Sequence, residues 1–212
     1  MVKMVFIHLS SLSNLSEQLK GEQGMRSHEE LEEQLIAFIK QMPTMKSKAD
    51  LIEAIESIYN IDIITFQNLL EKSYKEFEDW LNTLLSKEKI PKEIVAINFG
   101  IFDKKDSFQL YISGSTEWDG YDDDWASNND YFPQGRYAEI TAYKTLYHLY
   151  EEQFYLGLFL TLASTIIFTH TYLQTNISNF PGNIVFATGF DDGDLYNFCE
   201  KYDSTMVPLI FR

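Results

Sequence analysis

Cysteine is almost missing from this chain, and so are the signals of export. Cys199 is the single cysteine among 212 residues, so no internal disulfide can form and no second cysteine can complete a metal-binding motif. The opening residues, MVKMVFIHLSSLSNLS, hold an apolar run that is too short for a signal peptide and no small-residue cleavage site. Because unpaired cysteine is typical of reducing compartments, the sequence predicts a cytoplasmic protein.

Positive charge is also scarce. The chain has 17 lysines and arginines against 32 aspartates and glutamates, which gives a formal net charge of −15 and a pI near 4.6. Phosphate backbones are bound by clustered Lys and Arg, so direct nucleic-acid binding is not expected. An acidic surface suits solubility, a divalent cation or a basic protein partner. The hydrophobic fraction of 45% is that of a folded protein.

Charged side chains are absent from Gln153 to Phe190. The most apolar part, FYLGLFLTLASTIIF, is shorter than the roughly 20 residues that span a bilayer and contains a serine and two threonines. Its flanks lack the Lys and Arg that anchor a spanning helix. A helix that is apolar nearly all round is otherwise a core helix. The sequence therefore predicts a long buried helix and no membrane span.

The sequence pattern changes near Pro91. Before it, apolar residues recur at helical spacing. Ser27 and Glu30 form a potential capping box at a helix start, and Pro43 and Pro91 are expected to end helices. These features predict a helical N-terminal region over residues 1–90.

After Pro91 the period is that of strands. EIVAINFGIF and SFQLYISG, joined by DKKD, predict one hairpin, and NIVFATGF and DLYNF around DDG predict a second. RYAEI adds a short strand, and a helical pattern runs from about 141 to about 174 with Gly157 as a possible break. We therefore expect an α+β fold, with N-terminal helices followed by an antiparallel sheet of about four to five strands packed on a long buried helix. Residues 91–212 form the α+β domain and share one continuous core with the helices.

The segment STEWDGYDDDWASNNDYFPQGRY, residues 115–137, is both acidic and aromatic. Loops longer than about 12 residues in compact domains are usually functional or disordered, and the aromatic content argues against disorder. Trp and Tyr are favoured at binding hot spots, and an anionic rim steers a basic partner. The predicted contact residues are Trp118, Asp119, Tyr121, Asp122, Asp123, Asp124 and Trp125, with Asp191, Asp192 and Asp194 beside them if the two hairpins are adjacent.

Other interpretations of the same residues stay open. Clustered carboxylates could hold calcium, although the spacing does not match an EF-hand. Paired carboxylates beside Trp118, Tyr121 and Trp125 could serve glycoside hydrolysis. His148 and Glu152, one helical turn apart, could share a ligand. Alternatively, both tryptophans fold inward and the aspartates only solvate the surface.

Two stretches carry a resemblance to a known class of protein. FQLYISGSTEWDGYDDDWA and the later IVFATGFDDGDLYNF resemble the pattern in small bacterial α+β proteins that are encoded beside polymorphic or contact-dependent toxins and act as their immunity proteins. The resemblance covers two short regions of the C-terminal half. It implies a cytosolic inhibitor that binds a toxin domain and blocks its active site.

The negative charge fits such an inhibitor if the toxin is a nuclease, because a nuclease cleft is basic. No Ser-His-Asp, Cys-His or glycine-rich phosphate motif occurs in the sequence. We therefore predict a non-enzymatic, acidic protein-binding module with a basic protein partner, without a cofactor, a metal or direct contact to nucleic acid. The alternatives are a ligand- or metal-binding protein and a carbohydrate-active enzyme.

Overall fold

The structure is a computed structural model that describes residues 28–41, 48–58 and 63–209, and these form five α-helices and six strands. In chain order the elements are α1 (His28–Gln41), α2 (Lys48–Ile58), α3 (Ile63–Lys87), β1 (Ala96–Lys104), β2 (Ser107–Ser115), β3 (Tyr137–Ala138), α4 (Thr141–Glu152), α5 (Phe154–Asn176), β4 (Ile184–Phe190), β5 (Leu195–Tyr202) and β6 (Thr205–Pro208). Short 3-10 turns occur at Asp123–Ser127 and Ile177–Asn179. The α+β class and the N-terminal helices are confirmed.

The six strands form one sheet in the order β3-β2-β1-β4-β5-β6. Both predicted hairpins are antiparallel, but the central strands β1 and β4 pair in parallel. The sheet is therefore mixed, where the sequence pattern predicted antiparallel pairing alone. The difference arises because the α4 and α5 segment returns the chain so that β4 runs in the direction of β1, and such a crossover is the connection that parallel strands need. The short edge strand β6 was not predicted.

Helix α5 is the long buried helix that the sequence predicted. The stretch Phe154–Asn179 is long and apolar enough to cross a membrane by length and composition, and 89% of its most apolar window is buried inside the protein. Two of its buried threonine hydroxyls are satisfied within the helix, since Thr161 Oγ1 donates to the carbonyl oxygen of Gly157 at 2.7 Å and Thr165 Oγ1 to that of Thr161 at 2.9 Å. These bonds let polar side chains lie in the core.

The break between α4 and α5 lies at Gln153, where φ is −142° and ψ is 82°, and not at Gly157. Gly157 lies inside α5, where an added Cβ would be 2.3 Å from the Cα atom of Tyr150. A glycine is needed at this position because α4 and α5 approach closely there. Gly157 therefore marks close packing between the two helices and not a break in the helical pattern.

Helix α3 joins the helical layer to the sheet. The ring of Phe77 lies 5.9 Å from that of Phe99 on β1 and 5.7 Å from that of Phe168 on α5, measured between centroids. Buried apolar side chains from all five helices and the sheet form one continuous cluster. Helix α3 ends at Lys87, before Pro91, whereas Ser27 and Pro43 lie outside the described residues.

The two faces of the sheet have different neighbours. Ile97, Phe99 and Ile101 alternate along β1 on the face that joins the helical core. Asn98 and Phe102, on the opposite face, line a groove instead. We call this opposite face the outer face; the segment between β2 and β3 lies across it.

Candidate functional site

Both predicted tryptophans of the loop lie against the outer face of the sheet. Trp125 is only 5% exposed and packs with Ala96, Val185 and Ala187 in a small second apolar cluster. Trp118 is partly buried against the same cluster, and its indole Nε1 donates to Asn197 Oδ1 at 3.3 Å. These contacts hold the loop against the sheet. Trp125 is buried and not at the surface, as in the alternative interpretation in which both tryptophans fold inward.

Several loop aspartates hold the backbone of the loop. Asp119 Oδ1 accepts a hydrogen bond from the Tyr121 N–H, and Asp122 Oδ1 accepts one from the Asp124 N–H, both at 2.9 Å. These are the turn and cap roles for which aspartate is preferred. The four aspartates at 119 and 122–124 remain exposed, and Tyr121 is 87% exposed. Asp119 and Asp122 therefore hold the backbone of the turn, and all four aspartates place negative charge on the surface.

The turn between β4 and β5 carries the second acidic group. Asp191 Oδ1 accepts a hydrogen bond from the Tyr111 hydroxyl at 2.6 Å. Asp194 Oδ2 lies 2.6 Å from Nε2 of His28, at the start of α1. Asp192 lies beside Asp103, whose pKa is raised by burial and by this neighbouring charge. The three aspartates of the turn therefore face different surroundings.

Asp123 connects the two acidic groups. Its pKa is raised by burial and by the charges of Asp194, Asp122 and Asp124, and this rise is partly offset by the hydrogen bond from the Leu195 N–H. The loop and the β4–β5 turn are therefore neighbours, which was the condition for including the second group in the predicted contact.

A groove with a cavity volume of about 560 Å³ opens between the loop and that turn. Carboxylates stand on two of its sides, from Asp123 and Asp124 on the loop and from Asp191 on the turn. Among the described residues that line it, none is a lysine, arginine or histidine. The groove is therefore a concave, negatively charged surface, and such surfaces focus their electric field on cations.

One end of the groove is aromatic. The Phe102 ring lies 6.1 Å from Tyr111 and 5.8 Å from Tyr137, between centroids. Phe132 and Tyr137 are 42% and 45% exposed. The Arg136 guanidinium carbon lies 3.9 Å from the Phe132 centroid and 4.5 Å from that of Tyr137. The exposed rings already hold a guanidinium of this chain.

The position of Tyr111 depends on Gly100. The two residues are directly opposite in the β1–β2 register, and a Cβ at Gly100 would lie 2.2 Å from Cζ of the tyrosine ring. The ring therefore lies across β1 and brings its hydroxyl to Asp191. Burial, followed by the hydrogen bond and charge of Asp191, raises the pKa of Tyr111. A glycine inside a strand often marks such a close approach.

The floor of the groove contains an unsatisfied polar side chain. Asn98 is 5% exposed and its Oδ1 has no hydrogen-bond partner among the described residues. Ser113, directly opposite on β2, is 1% exposed, and its Oγ also has no hydrogen-bond partner among the described residues. Buried polar atoms are almost always paired. Sequence reasoning missed both residues, although their alternation with core residues placed them on the outer face.

The described residues contain no group of three or more His, Cys, Asp or Glu side chains that could hold a metal ion. His148 Nδ1 lies 3.5 Å from Glu151 Oε2, so its ion pair is with the residue before Glu152, the predicted partner. The thiol of Cys199 is buried, and burial raises its pKa, which makes it a poor nucleophile.

The chain gives no significant match to protein-family models, curated proteins or solved structures. The groove and its charges are therefore the features that bear on function.

Proposed function

We propose that this protein is a non-enzymatic, acidic protein-binding module, and that its partner is a basic domain of a bacterial toxin, which it inhibits as a cytosolic immunity protein. One observation carries the proposal. Carboxylates from two separate segments, Asp123 and Asp124 on the loop between β2 and β3 and Asp191 on the β4–β5 turn, border a single groove that has no basic lining residue among those described.

The charge of the whole chain supports this function. A net charge of −15 attracts a basic partner over a distance, and a concave acidic surface concentrates that attraction at one place. Complementary charge of this kind raises association rates and fixes the orientation of the partner. The toxin partner itself comes from the resemblance of the two motif stretches, and a nuclease domain is its best candidate because nuclease clefts are basic.

A second candidate function is the binding of a small polar ligand such as a carbohydrate. The groove volume of about 560 Å³ lies within the range of small-molecule sites, roughly 300–1,000 Å³. The rings of Phe102 and Tyr111 could cover an apolar sugar face. The experiment below separates the two candidates.

The test is affinity capture with the full chain as bait from a lysate of the organism that encodes it. The groove variant carries Asp122→Asn, Asp123→Asn and Asp124→Asn. Asparagine retains a side-chain acceptor for the loop hydrogen bonds, and solvated carboxylates contribute little to stability. The control variant carries Glu71→Gln, Asp79→Asn and Asp203→Asn, which neutralise three exposed carboxylates outside the groove.

The expected result is one basic partner with a toxin domain, which the wild type and the control variant retain at low salt. The groove variant should retain much less of this partner at low salt, and all three proteins should lose it at high salt. With purified partner, the groove variant should associate about tenfold more slowly and with a weaker salt dependence, because steering by charge acts on the association rate. Equal capture by all three proteins would show that the acidic loop is not the contact.

Two further outcomes would overturn the proposal. A groove variant that unfolds would make the loop a structural element. A large rise in melting temperature with calcium but not with magnesium would make it a metal site, since a ligand stabilises the state that binds it. Retention of a sugar or a small metabolite instead of a protein would favour the second candidate function.

A further inference from the structure

We propose that the groove is a receptor for the guanidinium group of an arginine on the partner, with carboxylates at its sides, aromatic rings at one end and a buried amide on its floor. This inference rests on the proposed function, because it names the side chain by which a basic protein partner would be held. The chemistry of each part of the groove supports it separately.

The carboxylates select for a cation. Asp123 and Asp124 approach from the loop and Asp191 from the β4–β5 turn, so a bound group meets acceptors on two sides. Asp191 is already fixed by the Tyr111 hydroxyl at 2.6 Å, which leaves its second oxygen available to a ligand. A planar group with donors along several edges fits this arrangement, and guanidinium provides five N–H donors in a fixed fork.

The aromatic end favours guanidinium over ammonium. Arg136 of the chain itself lies over the rings of Phe132 and Tyr137, at 3.9 and 4.5 Å from the centroids. The neighbouring rings of Phe102 and Tyr111 line the groove. Arginine stacks on aromatic faces more readily than lysine does, both by cation–π attraction and by contact between planes.

The floor of the groove contains a neutral hydrogen-bond acceptor in addition to the charged groups at its sides. Asn98 lines the groove, is more than nine-tenths buried and has an amide oxygen without a partner among the described residues. An unpaired buried acceptor costs free energy that a donor can recover. A guanidinium has donors and no acceptor, so one that reached the floor would find an acceptor in Asn98 and leave no group of its own unpaired against the carboxylates.

The test measures the binding of three short peptides to the full chain. The peptides are acetylated and amidated Gly-Arg-Gly, the same peptide with lysine, and the same peptide with citrulline, which keeps the shape of arginine without its charge. Two-dimensional NMR titration gives the dissociation constants and the positions of the shifted amides. We expect millimolar binding of the arginine peptide, about tenfold weaker binding of the citrulline peptide and intermediate binding of the lysine peptide, with shifts at Asn98, Gly100 and Asp191.

Variants then test the groove itself. Asp191→Asn should weaken binding of the arginine peptide about five- to tenfold, and Asp124→Asn provides a second variant if the first fails to fold. Asp203→Asn, an exposed aspartate on the β5–β6 turn, should bind as the wild type does. Equal affinity for the three peptides, or wild-type affinity in both groove variants, would overturn the inference.

Failure of this inference is distinguishable from failure of the proposed function. If a basic partner is captured through the acidic loop but the arginine peptide does not bind, only the guanidinium receptor is refuted. If the arginine peptide binds in the groove but no basic protein is captured, the inference about the groove is supported and the toxin partner is refuted.

Discussion

Asp123 has an unfavourable position for a charged residue. Its pKa is raised by burial and by three neighbouring aspartates, with the N–H of Leu195 as the one compensating contact. A raised carboxyl pKa means that folding disfavours the ionised form, so this residue lowers stability at neutral pH. The ionised form of Asp123 therefore lowers the stability of the fold.

The substitution Asp123→Asn should raise the free energy of unfolding at pH 7, because asparagine can still accept from Leu195 without carrying charge. For an acid with a raised pKa in the folded state, the favourable contribution is present below the unfolded value of 3.8 and is lost as pH rises through the folded pKa. The gain over wild type should therefore shrink as the pH falls below about 4. Urea unfolding at pH 7 and pH 3.5 measures it; an equal gain at both values would exclude the electrostatic cause.

At the scale of single residues, the sequence predicted where negative charge collects but not which aromatic rings face solvent. Trp125 and Tyr121 stand four positions apart in one acidic stretch, yet the first is 5% and the second 87% exposed. Tryptophan suits both hot spots and cores, so residue type alone does not separate the two roles. The outer-face residues Asn98 and Tyr111 were detectable only through the alternation of the first hairpin.

At the scale of elements, helix α4 begins on groups that belong to α3. The Glu76 carboxylate accepts from the Thr141 N–H at 2.6 Å and from the Thr141 hydroxyl at 2.8 Å. Ser73 Oγ accepts from the Ala142 N–H at 3.0 Å. Ile140 precedes the helix and offers no side-chain cap. A neighbouring helix therefore supplies the acceptors and the negative charge that a helix N-terminus needs.

The substitution Glu76→Ala should lower the free energy of unfolding by about 1–2 kcal/mol, the usual cost of losing a helix cap. Glu71→Ala, on an exposed position of the same helix, is the matched control and should change it by less than about 0.5 kcal/mol. Chemical denaturation of both variants gives the comparison. Equal losses would mean that the effect comes from α3 itself and not from the start of α4.

Elements with strong local patterns were predictable, and those set by distant contacts were not. The hairpin of β1 and β2 followed from two strand-like runs around a polar turn, and α5 from its uniform apolar character. The parallel pairing of β1 with β4 depends on where a crossover of two helices ends, which no local pattern encodes. The cap that Glu76 provides for α4 is likewise invisible in sequence.

At the scale of the molecule, the helical and sheet regions share their buried side chains. Phe77 of α3 contacts both Phe99 of β1 and Phe168 of α5. Because one cluster of buried apolar residues includes all five helices and the sheet, neither layer keeps a complete core when the other is lost. Domains with a single core usually unfold in one cooperative step.

We therefore expect one unfolding transition when two probes report on different layers. In a Trp80→Phe variant, Trp118 and Trp125 are the remaining tryptophans, so fluorescence follows the outer face of the sheet while far-UV circular dichroism follows mainly the helices. The two urea curves should give the same midpoint. Loss of the helical signal at a lower urea concentration than the fluorescence change would instead indicate separate folding units.

The parallel pairing of the central strands also determines when the acidic groove is completed during synthesis. The side-chain hydroxyl of Thr188 on β4 donates to the carbonyl oxygen of Phe99 on β1, and the two residues are 89 positions apart in the chain. The ribosome therefore releases β1, the acidic loop and the aromatic end of the groove well before the strand that carries Asp191 to the opposite side. A nascent chain has an open strand edge and one side of the groove until β4 docks. The groove therefore gains its second acidic side only with the C-terminal hairpin.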